Sequence, residues 1–243
     1  MRPLPGAVSP KSAAYQRVLE RLAAGEGPES VVSATLGAAS IVSAARDPRL
    51  SQAARLVVSI ARDPHAALRA LGQRPPRRPT SRLALVAAVA EALDEALDTS
   101  DDEALDTSDD TTTREPRPDV AGAGELAVLS AVEALLAAPE PLDAAAAPRL
   151  LRDMLTRFFE RWLLAQLGPA LGTHVGERFA SVRAHEEFRA ALAEHVRRAS
   201  SAVEPIVARC GEAGADELPA LIEDALAALE RALGGAARPG GAR

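Results

Sequence analysis

The apolar residues of this chain are mostly alanine, leucine and valine, and this choice limits what the chain can fold into. Hydrophobic residues make up 47% of the sequence, whereas aromatic residues make up only 2%. Alanine and leucine lose little side-chain freedom in a helix, while β-sheets usually recruit isoleucine, threonine and aromatic residues. Because those strand-forming residues are scarce, we expect an all-α protein built as a helical bundle.

A segment rich in arginine and proline separates two helical stretches. Residues 73–80 hold three prolines and three arginines, a composition that disfavours helix and favours an extended, exposed chain. We therefore predict an N-terminal helical subdomain over residues 1–72, a linker over 73–80 and a larger bundle over 81–235. The glycine-rich residues 236–243 should form a disordered tail.

The acidic residues are concentrated in a tandem octapeptide. Residues 95–102 read Glu-Ala-Leu-Asp-Thr-Ser-Asp-Asp, and residues 103–110 repeat them without change. Ten acidic residues and no basic residue lie between positions 91 and 110, and like charges at this density oppose packing. We therefore predict a disordered acidic loop over residues 98–121. Without these ten acids, the net charge of −6 becomes +4, so the remainder of the chain is mildly basic.

Helices on both sides of this loop should pack as a hairpin. In the first, over residues 81–97, apolar side chains recur at steps of three and four residues, which is a heptad seam made of Leu83, Val86, Ala90, Leu93 and Leu97. In the second, over residues 124–137, we expect the larger apolar side chains to point inward, namely Leu126, Leu129, Val132 and Leu136.

The clearest helical period lies in the C-terminal half. Over residues 149–167, charged side chains occupy one face, and the opposite, apolar face holds Leu151, Met154, Leu155, Phe158, Phe159, Trp162 and Leu163. Gly168-Pro169 should end this helix. A helix over residues 175–203 should bury a stripe of Phe179, Val182, Phe188, Leu192 and Val196. A last helix over residues 216–233 should bury Leu218, Ile222, Leu226, Leu229 and Leu233.

Residues that typically start or end helices indicate the limits of the N-terminal helices. Ser9-Pro10 resembles a helix start, and Gly25 should end that helix. A second helix is predicted over residues 28–45, a third over 50–61, and a short one after Pro64. The tripeptide Arg-Asp-Pro occurs twice, at 46–48 and 62–64, and proline disfavours continuation of a helix at both places.

Cysteine content and hydropathy bear on the compartment. Cys210 is the one cysteine, so no intramolecular disulfide can form, as is typical of a reducing compartment. The first residues lack the apolar stretch of a signal peptide. The longest uncharged run, at about residues 30–45, is too short and too rich in alanine and serine to span a bilayer. We expect a cytoplasmic protein.

The histidines do not have the spacing of a metal site. His174, His185 and His195 are 11 and 10 residues apart, whereas zinc ligands on one helix lie a single turn apart. His185-Glu186-Glu187 begins like a metalloprotease helix, but arginine stands where the second histidine should be. We therefore expect no metal at these positions.

Other motifs of known chemistry are also incomplete. Asp98, Ser100 and Asp102 alternate as in a calcium-binding loop, but the required glycine is missing. Cys210 follows Arg209, which could lower the pKa of the thiol, yet no histidine lies nearby in sequence. Nucleophile-elbow and phosphate-loop motifs are absent from the sequence, and Lys11 is its sole lysine. The sequence indicates no catalytic residue and no cofactor.

The leading hypothesis is a non-enzymatic interaction or scaffold subunit of a larger assembly. Such a protein would bind a protein partner, either a second copy or a different chain, through helix faces. The heptad seams supply the candidate interface residues, namely Leu83, Val86, Leu93, Ile222, Leu226 and Leu229.

The alternative is a helical subunit of a nucleoprotein complex that contacts RNA or DNA phosphates. Residues 149–198 carry nine arginines and six acids, and arginine is a common phosphate ligand. The candidate phosphate contacts are Arg149, Arg152, Arg157, Arg161, Arg74, Arg77 and Arg78. A third hypothesis is an enzyme whose all-α active site carries no motif that the sequence makes recognisable.

Overall fold

The computed structural model describes residues 12–70, 86–91, 121–172 and 181–235, apart from 38, 88, 139–141, 212 and 215. Within these ranges the chain forms helices and turns without a strand, which confirms the predicted all-α bundle. In chain order the helices are α1 (Ala13–Ala23), α2 (Pro28–Leu36), α3 (Val42–Ala45), α4 (Pro48–Arg62), α5 (Pro64–Ala70), α6 (Ala121–Ala137), α7 (Ala147–Gly172), α8 (Val182–Ala199), α9 (Glu204–Val207) and α10 (Leu218–Gly235). Residues 86–87 and 89–91 are also helical. Short 3-10 turns lie at Ala144–Ala146, Ser200–Val203 and Ala208–Gly211.

The repeated Arg-Asp-Pro tripeptide starts two of the helices. The carboxylates of Asp47 and Asp63 accept hydrogen bonds from the amides of Arg49 and Ala66, each at 2.9 Å. In both cases the first helical residue is proline, which has no amide hydrogen to leave unsatisfied. The recurrence therefore marks the starts of α4 and α5 as well as the ends of the segments before them.

Two predicted limits in the N-terminal region are wrong. Helix α1 begins at Ala13, because the hydroxyl of Ser12 accepts a hydrogen bond from the Tyr15 amide and caps the helix there. The single helix predicted over residues 28–45 is two helices, since α2 ends at Leu36. The expected stop at Gly25 is confirmed, and this glycine adopts a φ of 67°, which L-residues with a side chain rarely adopt.

Two C-terminal limits are also wrong. Helix α7 continues through Gly168-Pro169 to Gly172. An interior proline removes one backbone hydrogen bond and crowds the carbonyl four residues earlier, but the preceding turns of α7 are firmly packed, with Leu163 and Leu167 buried. Helix α8 begins at Val182 rather than in the region of residue 175, since the Ser181 hydroxyl caps it through the Ala184 amide. It ends at Ala199 and passes into a 3-10 turn.

Helix α7 lies at the centre of the packing. Helices α4 and α6 both contact α7 and also contact each other, while α8 packs against α2, α7 and α10. Helix α10 further contacts α2, α3 and α4. Buried apolar side chains form one cluster that extends from Tyr15 on α1 to Leu233 on α10.

Helices from before and after the predicted linker therefore contribute to one core. The linker at 73–80, the acidic loop up to residue 120 and the tail at 236–243 lie outside the described residues. Residue 121, the predicted end of the loop, begins α6. The division into two units at this linker stays a prediction.

The apolar face predicted for α7 is confirmed in full. Its seven side chains, from Leu151 to Leu163, are each at most 1% exposed. The rings of Phe159 and Trp162 pack at a tilt of 59°, with centroids 5.9 Å apart. Burial of large aromatic and aliphatic side chains is a main source of folding free energy. The five residues predicted inward on α10, from Leu218 to Leu233, are also buried.

The stripe predicted for α8 is only partly correct. Leu192 and Val196 are buried, and Phe188 is half-buried. Val182 is 69% exposed, contrary to the prediction, because it is the first residue of the helix and extends beyond its packed part. Phe179 lies outside the described residues.

The face of α6 that packs against the core is opposite to the predicted one. Leu129 and Leu136, predicted inward, are 47% and 44% exposed, and Leu126 and Val132 are only half-buried. The buried side of α6, which faces α4 and α7, consists of one leucine, Leu135, and of small side chains, namely Ala123, Ala127, Ser130, Ala131 and Ala134. Small residues allow helix axes to approach closely, and this packing takes precedence over burial of the larger leucines.

Candidate functional site

The predicted interface residues that the structure describes lie inside the chain. Ile222, Leu226 and Leu229 on α10 are completely buried, and Val86 is 7% exposed. Leu83 and Leu93 lie outside the described residues. The seam of α10 is therefore occupied by the protein's own core, and a partner would have to bind elsewhere.

Three of the predicted phosphate contacts on α7 are engaged in ion pairs. Arg152 donates hydrogen bonds to Glu204 at 2.7 Å and to Asp153 at 3.2 Å. Arg157 and Arg161 both pair with one carboxylate of α6, Glu133, at 3.2 Å for Arg157. Arg149 is exposed. Arg74, Arg77 and Arg78 lie outside the described residues.

A polar groove of about 730 Å³ runs between α7 and the C-terminal half of α8. Its charged lining consists of five arginines and four carboxylates, which leaves a net charge of +1. These residues are Arg149, Arg152, Arg157, Arg197, Arg198, Asp153, Glu160, Glu194 and Glu204. Mixed charge of this kind does not concentrate the positive potential that a phosphate backbone requires.

Two smaller clefts, of about 340 and 350 Å³, lie where the start of α2 meets α8. Both are lined by Glu29, His195 and Arg198. The Nδ1 atom of His195 is 3.7 Å from a Glu29 oxygen, and an Arg198 nitrogen is 4.0 Å from that same oxygen. These separations are too long for hydrogen bonds. Burial lowers the pKa of His195, although the nearby Glu29 opposes that shift.

The other titratable candidates have surroundings that do not favour catalysis or metal binding. Cys210 is buried, and that burial raises the pKa of its thiol, opposite to the shift that an activated nucleophile needs. His185 is half-buried on α8, and His174 lies outside the described residues. Among the residues that the structure describes, histidine, cysteine and carboxylate side chains do not form a group of three that could hold a metal ion.

The sequence patterns missed an exposed apolar surface on α6. We call the set Leu126, Leu129, Val132 and Leu136 the leucine face. Its members are three and four residues apart and so lie on one side of the helix. Leu129 is the most exposed of the four, at 47%. The single charged side chain within this span is Glu133, whose carboxylate is paired with Arg157 and Arg161.

A signal for this surface was present in the sequence. Alanine, glycine and serine recur through α6 at helical spacing, at positions 123, 124, 127, 130, 131 and 134. A helix that is apolar on all sides does not reveal by periodicity which side faces inward. The small-residue side was the better candidate for close helix contact, and Leu129 and Leu136 then face outward.

Within the described ranges, no helix combines the length and apolarity that crossing a bilayer requires. Comparison of the chain with protein-family models, curated proteins and solved structures finds no match.

Proposed function

We propose that this protein is a non-enzymatic helical interaction subunit that binds an α-helix of another protein chain through the leucine face of α6. The observation that carries this proposal is the exposure of Leu129 and Leu136 on a helix whose small residues are buried. Two leucines seven residues apart on one helix are the anchors by which an amphipathic helix recognises an apolar groove or stripe.

The electrostatics of α6 favour burial of this surface. A lone carboxylate at an apolar interface would carry a large desolvation cost. Glu133 already has two arginine partners from α7, so covering the leucine face would not leave its charge uncompensated. A binding helix would mainly exchange water for leucine and valine contacts, which is favourable at about 25 cal/mol per Å² of apolar surface.

The nucleoprotein hypothesis has weaker support. Arg152, Arg157 and Arg161 hold carboxylates, so contact with phosphate would first require these ion pairs to break or rearrange. A titration of RNA and DNA at two salt concentrations tests this alternative, and phosphate contacts would make the affinity fall steeply as salt rises. The unrecognised-enzyme hypothesis is supported by no arrangement among the described side chains.

The proposed function is tested by affinity capture from the native host with three baits. These are the wild-type chain, Leu129→Arg, and the matched control Val182→Arg, which changes an even more exposed apolar side chain on a different helix. We expect a partner that the wild type and the control retain and Leu129→Arg loses. Light scattering on the purified chain completes the test, since a clean monomer that recovers no partner would overturn the proposal.

A further inference from the structure

His195 on α8 is a titratable side chain that lies buried at a contact between helices. Its side chain is only 9% exposed. Helix α8 packs against both α2 and α10, and the two clefts at the start of α2 share His195, Glu29 and Arg198 in their lining. The imidazole therefore lies in the contact between α2 and α8, where a change in its charge acts on both helices.

The ring nitrogens of His195 are poorly placed to carry a second proton. Within the part of the chain that the structure describes, Nε2 is shielded from solvent and has no hydrogen-bond partner. Nδ1 is 3.7 Å from a Glu29 oxygen, which is too long for a hydrogen bond. A neutral imidazole carries one N–H group, whereas a protonated imidazole carries two. Protonation would therefore bury both a positive charge and an N–H donor that lacks an acceptor, which is costly.

The charged groups around His195 do not offset this cost. On α2, the Glu29 side chain is 61% exposed, so solvent weakens its attraction. On α8, an Arg198 nitrogen lies 4.0 Å from the same Glu29 oxygen, and Glu194 is already paired with arginine. From α10 the clefts receive Ala232, and among the described residues α7 contributes none to them. Burial accordingly lowers the pKa of His195, with Glu29 opposing this shift and Arg198 adding to it.

We propose that His195 makes the contact between α2 and α8 an acid-sensitive switch, in which protonation of the buried imidazole loosens α2 from α8. This inference does not depend on the proposed function, because the leucine face lies on α6. Elements of a fold can open separately from the core, so the loss of stability should be concentrated in α2.

The direction of the pH dependence follows from the lowered pKa. Above the ordinary pKa of 6.5, the imidazole is neutral whether the contact is closed or open, and the contact has its full stability. As the pH falls from 6.5 through the lowered pKa, the open form binds the proton more readily than the closed form. The stability of the contact therefore decreases in this range, and the loss is complete below the lowered pKa.

The first experiment follows the ring protons of the four histidines of the full chain by NMR as the pH is varied. His65, which is exposed on α5, is the internal reference, and the variants His195→Gln and His65→Gln assign the signals. We expect His195 to titrate at a lower pH than His65. Glu29→Gln should lower the pKa of His195 further, because it removes the carboxylate that favours the charged ring. A His195 that titrates at or above the pH of His65 would overturn the proposal.

The second experiment measures amide hydrogen exchange in α2 and α7 at pH 7.5 and pH 5.5, with rates corrected for the intrinsic effect of pH. In the wild type, the opening of α2 should increase at least about threefold at the lower pH and more than that of α7. His65→Gln should keep this increase, whereas His195→Gln should lose it. Equal protection of α2 at both pH values, or the same increase in His195→Gln, would contradict the switch. If His195→Gln does not fold, the wild-type exchange and the titration still decide.

Discussion

Helices α6 and α7 pack against each other, but they differ in the size of the side chains that face the core. On α7 the large side chains face the core, and Phe158, Phe159 and Trp162 are completely buried. On α6 the alanines face the core, and Leu129 and Leu136 are more than two-fifths exposed. The same chemistry, an apolar face of a helix, thus serves as core in one case and as surface in the other.

The difference follows from what the opposite side of each helix carries. The outward side of α7 holds Arg149, Arg152, Asp153 and Glu160, so only one side can be buried without desolvating charge. The middle of α6 has little charge on any side, so both of its sides can be buried. Because α6 contacts both α4 and α7, the side with small residues faces them. Small residues permit the closest approach of the three helix axes.

The largest expected effect tests this contrast directly. Trp162→Ala should lower the free energy of unfolding by about 3–5 kcal/mol, since it removes a completely buried side chain and leaves a cavity. Leu129→Ala should change it by less than about 0.5 kcal/mol, as is usual for exposed sites. Urea unfolding measures both. Comparable losses at the two sites would mean that the leucine face is buried after all.

A smaller loss of stability is expected when a side chain on the buried side of α6 is enlarged. Ala131→Leu should destabilise the protein by about 1–3 kcal/mol, because Ala131 is completely buried where α6 packs against the core. Ala137→Leu, which makes the same change at an exposed position of the same helix, is the matched control and should be nearly neutral. The same urea titrations measure these variants. If the larger side chain at position 131 is tolerated, close helix approach is not what orients α6.

The smallest effect concerns the charged side of α7. Burial raises the pKa of the Glu160 carboxyl above its ordinary 4.5, although Arg157 and Arg161 oppose the shift. The folded state therefore favours the protonated carboxyl. This contribution to stability is present below pH 4.5 and is lost as the pH rises through the raised pKa.

Glu160→Gln removes this titration while keeping the shape of the side chain. It should be slightly more stable than the wild type at pH 7.5, and that advantage should shrink at pH 4.5. Glu186→Gln, at an exposed position on α8, controls for the loss of a surface charge. Urea midpoints at the two pH values measure the difference, and a variant less stable than the wild type at pH 7.5 would contradict the assigned direction.

The fold class and most of the core of the C-terminal half could be predicted from the sequence. The apolar face of α7 and the five inward residues of α10 could be predicted because charged residues occupy their opposite faces. Helix limits were less predictable. Ser9-Pro10 resembles a helix start, but Ser12 caps the helix, because its hydroxyl accepts a hydrogen bond from the Tyr15 amide. Gly168-Pro169 resembles a stop, but a long packed helix can continue through a proline.

The candidate site was predicted least well. The seam of α10 was expected to bind a partner, yet Ile222, Leu226 and Leu229 pack inside the chain. The exposed surface lies on α6, on leucines expected to be inside. The local sequence indicates how apolar a helix face is. It does not indicate which other element covers that face.

The sequence by itself determined the all-α fold class and the buried sides of α7 and α10, because backbone propensity and charge desolvation act locally. Only the tertiary structure decided which side of α6, whose middle carries the single charge of Glu133, faces the core. That choice depends on how closely α4 and α7 approach, which is a property of three helices together. The exposed leucine face, and with it the proposed function, is a consequence of that packing.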